Sequence, residues 1–230
     1  MTGALLASGR DGDIFEYGPG LVLRKTRDGR SIAHEARVMT FLAGHGYPVP
    51  RVDDVRADGS EIVMERLDGP IMMDAMVKSP RVLIRAGAML ADLHDQLHEI
   101  RAPEWMRVLE PSGDRVLHLD LHPLNVMLTA RGPVVIDWSN ASRGEPLTDV
   151  AMTYVLMTGP RMPAPWIIRT LVQPLRGALA RSVTRRYPGP DLDARIAYAA
   201  ELKVLDRNML PDEIMRLTRI GNRYGKRAPG

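Results

Sequence analysis

The chain contains no cysteine, so it forms no disulfide, offers no thiolate to a metal and has no thiol nucleophile. Nothing in it calls for an oxidising compartment. Aromatic residues make up 5% of the 230, too few to build base-stacking platforms, so no nucleic-acid partner is expected. No apolar run approaches the roughly 18 residues of a membrane span, and Met1 to Arg10 lacks a long apolar segment. No membrane partner is expected, and the reading is a soluble, cytoplasmic protein. Internal repeats and low-complexity tracts are also lacking, and no feature sets an oligomeric state.

What is present is charge, unevenly placed. From Ala151 onward there are 14 Lys and Arg against 6 Asp and Glu, a balance of +8, which against the total of +3 leaves −5 for residues 1 to 150. The last third is therefore either a set of solvated helix faces or a surface that attracts an anionic substrate or partner.

The most informative stretch is His118-Leu119-Asp120-Leu121-His122-Pro123-Leu124-Asn125, followed by Val126-Met127-Leu128, the turn Ala130-Arg131-Gly132, and Val134-Val135-Ile136-Asp137-Trp138. Two short β-prone runs around a Gly-containing turn predict a hairpin. With the turn centred on Arg131, Asn125 and Asp137 lie opposite each other, with Cα atoms about 4.5 to 5.5 Å apart. An amide oxygen and a carboxylate at one end of a hairpin suit Mg²⁺ bound together with nucleotide phosphates. Asp120 lies in a loop that Pro123 keeps from becoming helix, as a third oxygen ligand or a base. A rival reading takes His118, Asp120 and His122 as an H-x-D-x-H cluster for Zn²⁺ or Fe in a metal-dependent hydrolase, although no further His-rich motif follows to complete it.

This arrangement resembles the protein-kinase-like superfamily, with its H-x-D-x-x-x-x-N catalytic loop and a later metal-binding Asp. More narrowly, His-Leu-Asp-Leu-His-Pro-Leu-Asn followed by Val-Ile-Asp-Trp is similar to the aminoglycoside phosphotransferase and choline kinase branch. The resemblance implies an α+β, two-lobed fold with a small N-terminal antiparallel sheet and one helix, then a mostly helical C-terminal lobe. Residues 1–67 would be the nucleotide-binding lobe and 68–230 the catalytic and substrate lobe. It further implies transfer of the γ-phosphoryl of ATP, with GTP as the alternative, to a hydroxyl of a small metabolite or aminoglycoside-like compound. Asp120 would be the catalytic base and Asn125 and Asp137 the Mg²⁺ ligands. His118 and His122 would support the loop. A nucleotide-binding module without catalysis is the other reading, which the joint presence of Asp120, Asn125 and Asp137 disfavours.

Along the chain, Ala4 to Ser8, Asp13 to Tyr17 and Leu21 to Lys25 read as strands. Gly9-Arg10-Asp11-Gly12 stands where a kinase has its phosphate-covering Gly-rich loop, with only two glycines. Leu21-Val22-Leu23-Arg24-Lys25 carries the cation expected to steady the phosphates. Alternation lets only one of Arg24 and Lys25 face the nucleotide. Similarity of Val-Leu-Arg to the family's Ala-Ile-Lys favours Arg24, and residue chemistry favours Lys25, the preferred choice. Ser31 to Ala43 reads as an amphipathic helix whose Glu35 matches the family's partner for that cation.

Arg51 to Asp58 and Glu61 to Leu67 read as two more strands. By resemblance, Ile62 to Pro70 is the hinge, with backbone groups near Glu65 and Leu67 bonding adenine. Pro80 to Ile100 is the clearest helix, with Val82, Ala86, Met89, Leu90, Leu93 and Leu97 at helical spacing. His94 and His98 are one turn apart on it, read as scaffold rather than metal ligands. Pro146 opens a helix with Thr148 as its cap and Asp149 in its first turn.

The interval from Asp137 to Pro146 is too short for an activation segment, which points to a small-molecule acceptor. Pro163 to Arg186, Asp191 to Asn208 and Pro211 to Asn222 read as three helices, with Trp166 and the arginines as pocket candidates. Aminoglycosides are polycations, whereas this region is basic, so a neutral or anionic acceptor is favoured over antibiotic resistance.

Overall fold

Leu21–Thr26 begins with the apolar run Leu21-Val22-Leu23, of which Val22 and Leu23 are buried, and this strand sits at the centre of an antiparallel sheet. The computed structural model describes residues 3–9, 12–159, 166–206 and 209–227, with side chains except those of 166–172. The sheet comprises β1 (Leu5–Ser8), β2 (Gly12–Gly18), β3 (Leu21–Thr26), β4 (Val52–Arg56) and β5 (Glu61–Glu65), in the order β1-β2-β3-β5-β4. Helix α1 (Ala33–Gly44) follows β3 and buries Ala36, Val38, Met39 and Leu42. Arg10 and Asp11, the middle of the expected glycine-loop divider, lie outside the described residues.

Two compact units divide the chain: Met1–Asp74 with Leu124–Ala141, and Ala75–Pro123 with Ser142–Gly230. The first unit therefore contains the hairpin of β7 (Val126–Thr129) and β8 (Gly132–Val135) as well as the five-stranded sheet. A short turn differs from the expected one. The ladder closes at Thr129 and Gly132, so two residues, not three, form the turn, and Thr129 Oγ1 donates to Gly132 O at 2.9 Å. The register consequently shifts by one. Val126 faces Val135, Ile136 N–H donates to Asn125 O at 3.0 Å, and Asn125 opposes Ile136 rather than Asp137.

Gly69 lets the chain pass this hairpin closely. Its φ is +153°, and a Cβ there would stand 2.1 Å from Leu128 O. Pro70 O then accepts from Leu128 N–H at 2.9 Å. An added side chain has no room, because the obstacle is backbone.

The second unit is mainly helical. It includes α2 (Met72–Lys78, whose first residues fall in the first unit), α3 (Pro80–His98), α4 (Pro146–Thr158), α5 (Trp166–Thr184), α6 (Pro190–Val204) and α7 (Pro211–Gly225). A two-stranded sheet of β6 (Arg115–Leu117) and β9 (Ser142–Gly144) completes it. Helix α4 is buried almost all round, as expected of a helix that is apolar on every face, and packs against α3, α5 and α6. Thr148, expected as its cap, lies inside the first turn and donates its hydroxyl to Glu110 Oε1 at 2.7 Å; Glu145 is the cap residue. Pro163, where a helix was expected to begin, and Asn208, where another was expected to end, lie outside the described residues. Among the described residues no helix is long and apolar enough to cross a membrane.

Candidate active site

The loop His118–His122 belongs to the second unit, and one carboxylate shapes it. Asp149, fully buried in the first turn of α4, accepts the N–H groups of His118 at 3.0 Å and Leu119 at 2.7 Å. His98 Nε2 donates to the same carboxylate at 3.1 Å. Burial raises the Asp149 pKa, but the His94 and His98 side chains outweigh it and hold the carboxyl well below the usual range. An ionised buried carboxylate needs such donors, because desolvating it alone is costly.

A second line of bonds holds the other end of the loop. Thr153, one turn further along α4, donates its hydroxyl to Leu121 O at 2.7 Å and lies 2.9 Å from His94 Nε2. Since the hydroxyl hydrogen is committed to Leu121, Thr153 accepts from His94 Nε2, while His94 Nδ1 lies 3.5 Å from Asp149 Oδ2. His94 and His98, expected as scaffold, are thus loop supports. Asp149 was read only as a favourable first-turn charge. A stronger signal was available: the single charged residue of a helix that is otherwise uncharged and mostly apolar must have buried partners.

Between these supports, Leu119 adopts φ +63°, a left-handed conformation that costs a leucine about 1 to 2 kcal/mol. The two N–H bonds to Asp149 offset that cost. Asp120 follows, with its own N–H donating to His118 Nδ1 at 3.1 Å. His118 is fully buried, and with this ring nitrogen turned to the loop backbone it serves as a brace. Asp120 remains partly exposed, and His122 Nε2 is 3.5 Å from its Oδ1. Burial tends to raise the Asp120 pKa, but His122, followed by His118 and Lys203, lowers it below the usual value. Asp120 is therefore a carboxylate near neutral pH.

The first unit holds a separate cluster. Alternation along β3 sends Arg24 and Lys25 to opposite faces, and the structure distinguishes them. The Arg24 guanidinium pairs with Glu35, whose side chain is 2% exposed. Lys25 is 55% exposed and pairs with Glu61 at 2.9 Å. The cation beside Glu35 is thus Arg24, not the preferred Lys25, because Arg24 shares the α1-facing side of the strand.

Glu35 Oε1 also accepts Trp138 N–H at 3.3 Å. Burial raises the Glu35 pKa; Arg24 opposes this, and the neighbouring Asp137 adds to it. Asp137 has φ +64°, which ends the strand alternation of β8, and Ser139 Oγ donates to its Oδ1 at 2.8 Å. Trp138 is completely buried, stacks edge-on to Tyr47 at 5.6 Å and donates its indole N–H to Val135 O at 3.2 Å. This packing anchors the chain immediately after Asp137. Asn125, 8% exposed, occupies the same end of the hairpin.

At the expected hinge, the Glu65 N–H donates to Arg51 O at 2.8 Å and its carboxylate takes Arg131 at 2.9 Å, so its amide is committed within the sheet. Leu67, two residues on, has no backbone hydrogen bond among the described residues. Trp166 opens α5, and its side chain lies outside the described residues.

An antiparallel sheet with one helix, then a helical unit whose buried loop carries His-x-Asp, defines a protein-kinase-like fold. A family model, described as the phosphotransferase enzyme family, matches residues 2–115 and 102–189, so the chain belongs to that family. The enzyme class is a phosphotransferase with an alcohol group as acceptor.

Solved structures share the fold. A choline/ethanolamine kinase family protein from Mesorhizobium loti is 15% identical, with TM-score 0.64, over 98% of this chain and 88% of that one. A thermostable mutant of aminoglycoside phosphotransferase APH(4)-Ia, in a ternary complex with AMP-PNP and hygromycin B, is 16% identical, with TM-score 0.67, over 99% and 94%. The gentamicin complex of APH(2")-IIa is 14% identical, with TM-score 0.65, over 94% and 92%. No curated protein sequence matches the chain closely enough to count as a relative.

Proposed function

We propose that this phosphotransferase moves the γ-phosphoryl group of ATP to a hydroxyl of a small neutral or anionic molecule, with GTP as the alternative donor. The observation that carries this reading is the acidic cluster around Arg24. Glu35 and Asp137 lie close enough to repel, the Arg24 guanidinium pairs with Glu35, and among the described residues Glu35 Oε2 is buried without a hydrogen-bond partner. Two carboxylates and one cation leave negative charge, which suits a divalent cation, and the all-oxygen donors Asn125 and Asp137 suit Mg²⁺. Bound there with the nucleotide, Mg²⁺ would neutralise the charge of the transferring phosphate.

The residues divide the remaining work. Asn125 and Asp137 hold the metal, Arg24 steadies the phosphates, and Glu35 fixes the direction of Arg24. Leu67 offers backbone groups to the base. Asp120 accepts a hydrogen bond from the acceptor hydroxyl and aims it. As the new P–O bond forms and the nucleoside diphosphate departs, the hydroxyl proton passes to Asp120. A carboxylate with a depressed pKa is a weak base, so its larger contribution is orientation.

Because this transfer relies on positioning and charge, losing a metal ligand should raise the barrier by several kcal/mol. At about 1.4 kcal/mol per decade, Asp137→Ala should reduce phosphate transfer at least a hundredfold. Turnover near that of the natural chain, measured with an identified acceptor, would remove the metal assignment.

A further inference from the structure

Helices α4, α5 and α7 of the second unit border an open cavity of about 790 Å³. Four arginines line it: Arg181 from α5, and Arg216, Arg219 and Arg223 from α7. The α7 residues fall at i, i+3 and i+7, so one helix face presents all three. Among the described residues no carboxylate lines the cavity, and none of these four guanidinia has a carboxylate partner. Arginines nearby are treated differently: Arg195 pairs with Glu110 at 2.5 Å, and Arg186 with Asp92 and Asp95 at 2.6 Å. Acids of the basic last third are also engaged elsewhere, Asp206 with Lys203 and Glu213 with the backbone at Leu210.

Four like charges around one space repel each other, and proteins rarely gather them without a counter-charge. Arg176, beside the cavity, registers the crowding. Burial, and after it Arg216, lowers its pKa from the ordinary arginine value. Hydroxyl groups complete the lining, with Tyr224 donating to Tyr154 at 2.7 Å and Thr158 one turn away on α4. Planar guanidinium forks match the oxygens of phosphate and carboxylate groups.

The cavity is also close in the fold to the catalytic loop. Thr153, which bonds Leu121 O, is followed directly by Tyr154, and Thr158 lies about 7 to 8 Å further along the axis at 1.5 Å per residue. We infer that the α4–α5–α7 cavity binds a multiply charged organic anion, and that this anion is the acceptor, its acidic groups held by Arg181, Arg216, Arg219 and Arg223. The second clause rests on the function proposed above; the first does not.

The test begins without ATP. Calorimetric titration of the full chain with inorganic pyrophosphate and with citrate, in EDTA, should show binding that weakens as salt rises. Replacing Arg219 and Arg223 together with Gln should lower that affinity at least tenfold. Replacing both with Lys should restore part of it. Failure of the natural chain to bind either anion, or equal affinity in the double Gln variant, would overturn the cavity assignment.

A second measurement addresses the acceptor. With ATP and Mg²⁺, hydroxylated acids should be phosphorylated faster than hydroxylated amines, and the double Gln variant should raise KM for the acid at least tenfold with little change in kcat. Turnover of amines alone would overturn the acceptor assignment. If no compound of either charge were phosphorylated, the phosphotransferase reading would fail, while the titration would still decide the cavity.

Discussion

Asp149 accepts the N–H of Leu119 at 2.7 Å while Leu119 holds a left-handed φ of +63°, so a buried carboxylate and a strained backbone stabilise one another one residue before Asp120. Neither arrangement would persist alone. The unpaired charge would be expelled from the interior, and the leucine would relax toward a right-handed or extended conformation.

Replacing Asp149 with Asn should therefore harm both stability and catalysis. The amide removes the charge and sets an NH₂ donor against one of three N–H donors. Breaking a buried charge network of this kind costs about 3 to 5 kcal/mol. Thermal unfolding should show a drop of several degrees or more, and phosphate transfer by the remaining folded enzyme should fall more than tenfold. An unchanged melting temperature would show that the loop does not depend on this carboxylate.

His98 supplies a pH dependence. Burial is the main cause that lowers its pKa from 6.5, against the opposing pull of Asp149. Below pH 6.5 the unfolded chain takes up a proton that the folded protein resists, so stability is fully present above that value and declines as pH falls toward the lower folded pKa. Melting temperatures measured from pH 8 to pH 5 should decrease on the acid side. In His98→Gln, which keeps a donor but cannot titrate, the curve over that interval should be flatter.

Arg24 and Lys25 should separate sharply. Removing the buried Arg24 leaves Glu35 unpaired beside Asp137, so Arg24→Ala should lower kcat/KM for the nucleotide by about a hundredfold, close to 3 kcal/mol. Lys25→Ala removes only an exposed pair with Glu61, a class of contact worth about 0 to 1 kcal/mol, and should change kcat/KM less than threefold. Comparable losses in the two variants would mean that Lys25 also reaches the phosphates.

Much of this architecture was legible from residue order. The apolar runs Leu21-Val22-Leu23 and Ile62-Val63-Met64 between turn residues, and the three- and four-residue spacing in Pro80–His98, marked elements whose partners lie close in sequence or whose faces are plainly apolar. The three-residue strands Arg115–Leu117 and Ser142–Gly144 carried too little pattern to be noticed. The hairpin was recognised but displaced by one residue, because whether Gly132 belongs to the turn or to the strand depends on a hydrogen bond from Thr129 that composition does not reveal.

For the candidate site, local order identified the loop and not its supports. Asp120, Asn125 and Asp137 stand in a short recognisable interval, whereas the bonds of Asp149 to His118 and His98 span 31 and 51 residues. Such contacts follow from how α3 and α4 pack in three dimensions. The choice between Arg24 and Lys25 had the same character: alternation separates the two, but only the position of α1 decides which faces Glu35.

The left-handed backbone at Asp137 has a practical consequence. Among uncharged side chains, asparagine tolerates that conformation best and has nearly the same shape. Asp137→Asn should thus subtract one negative charge with little disturbance of the surrounding chain, giving a form suited to capturing nucleotide and acceptor together before phosphate leaves the donor.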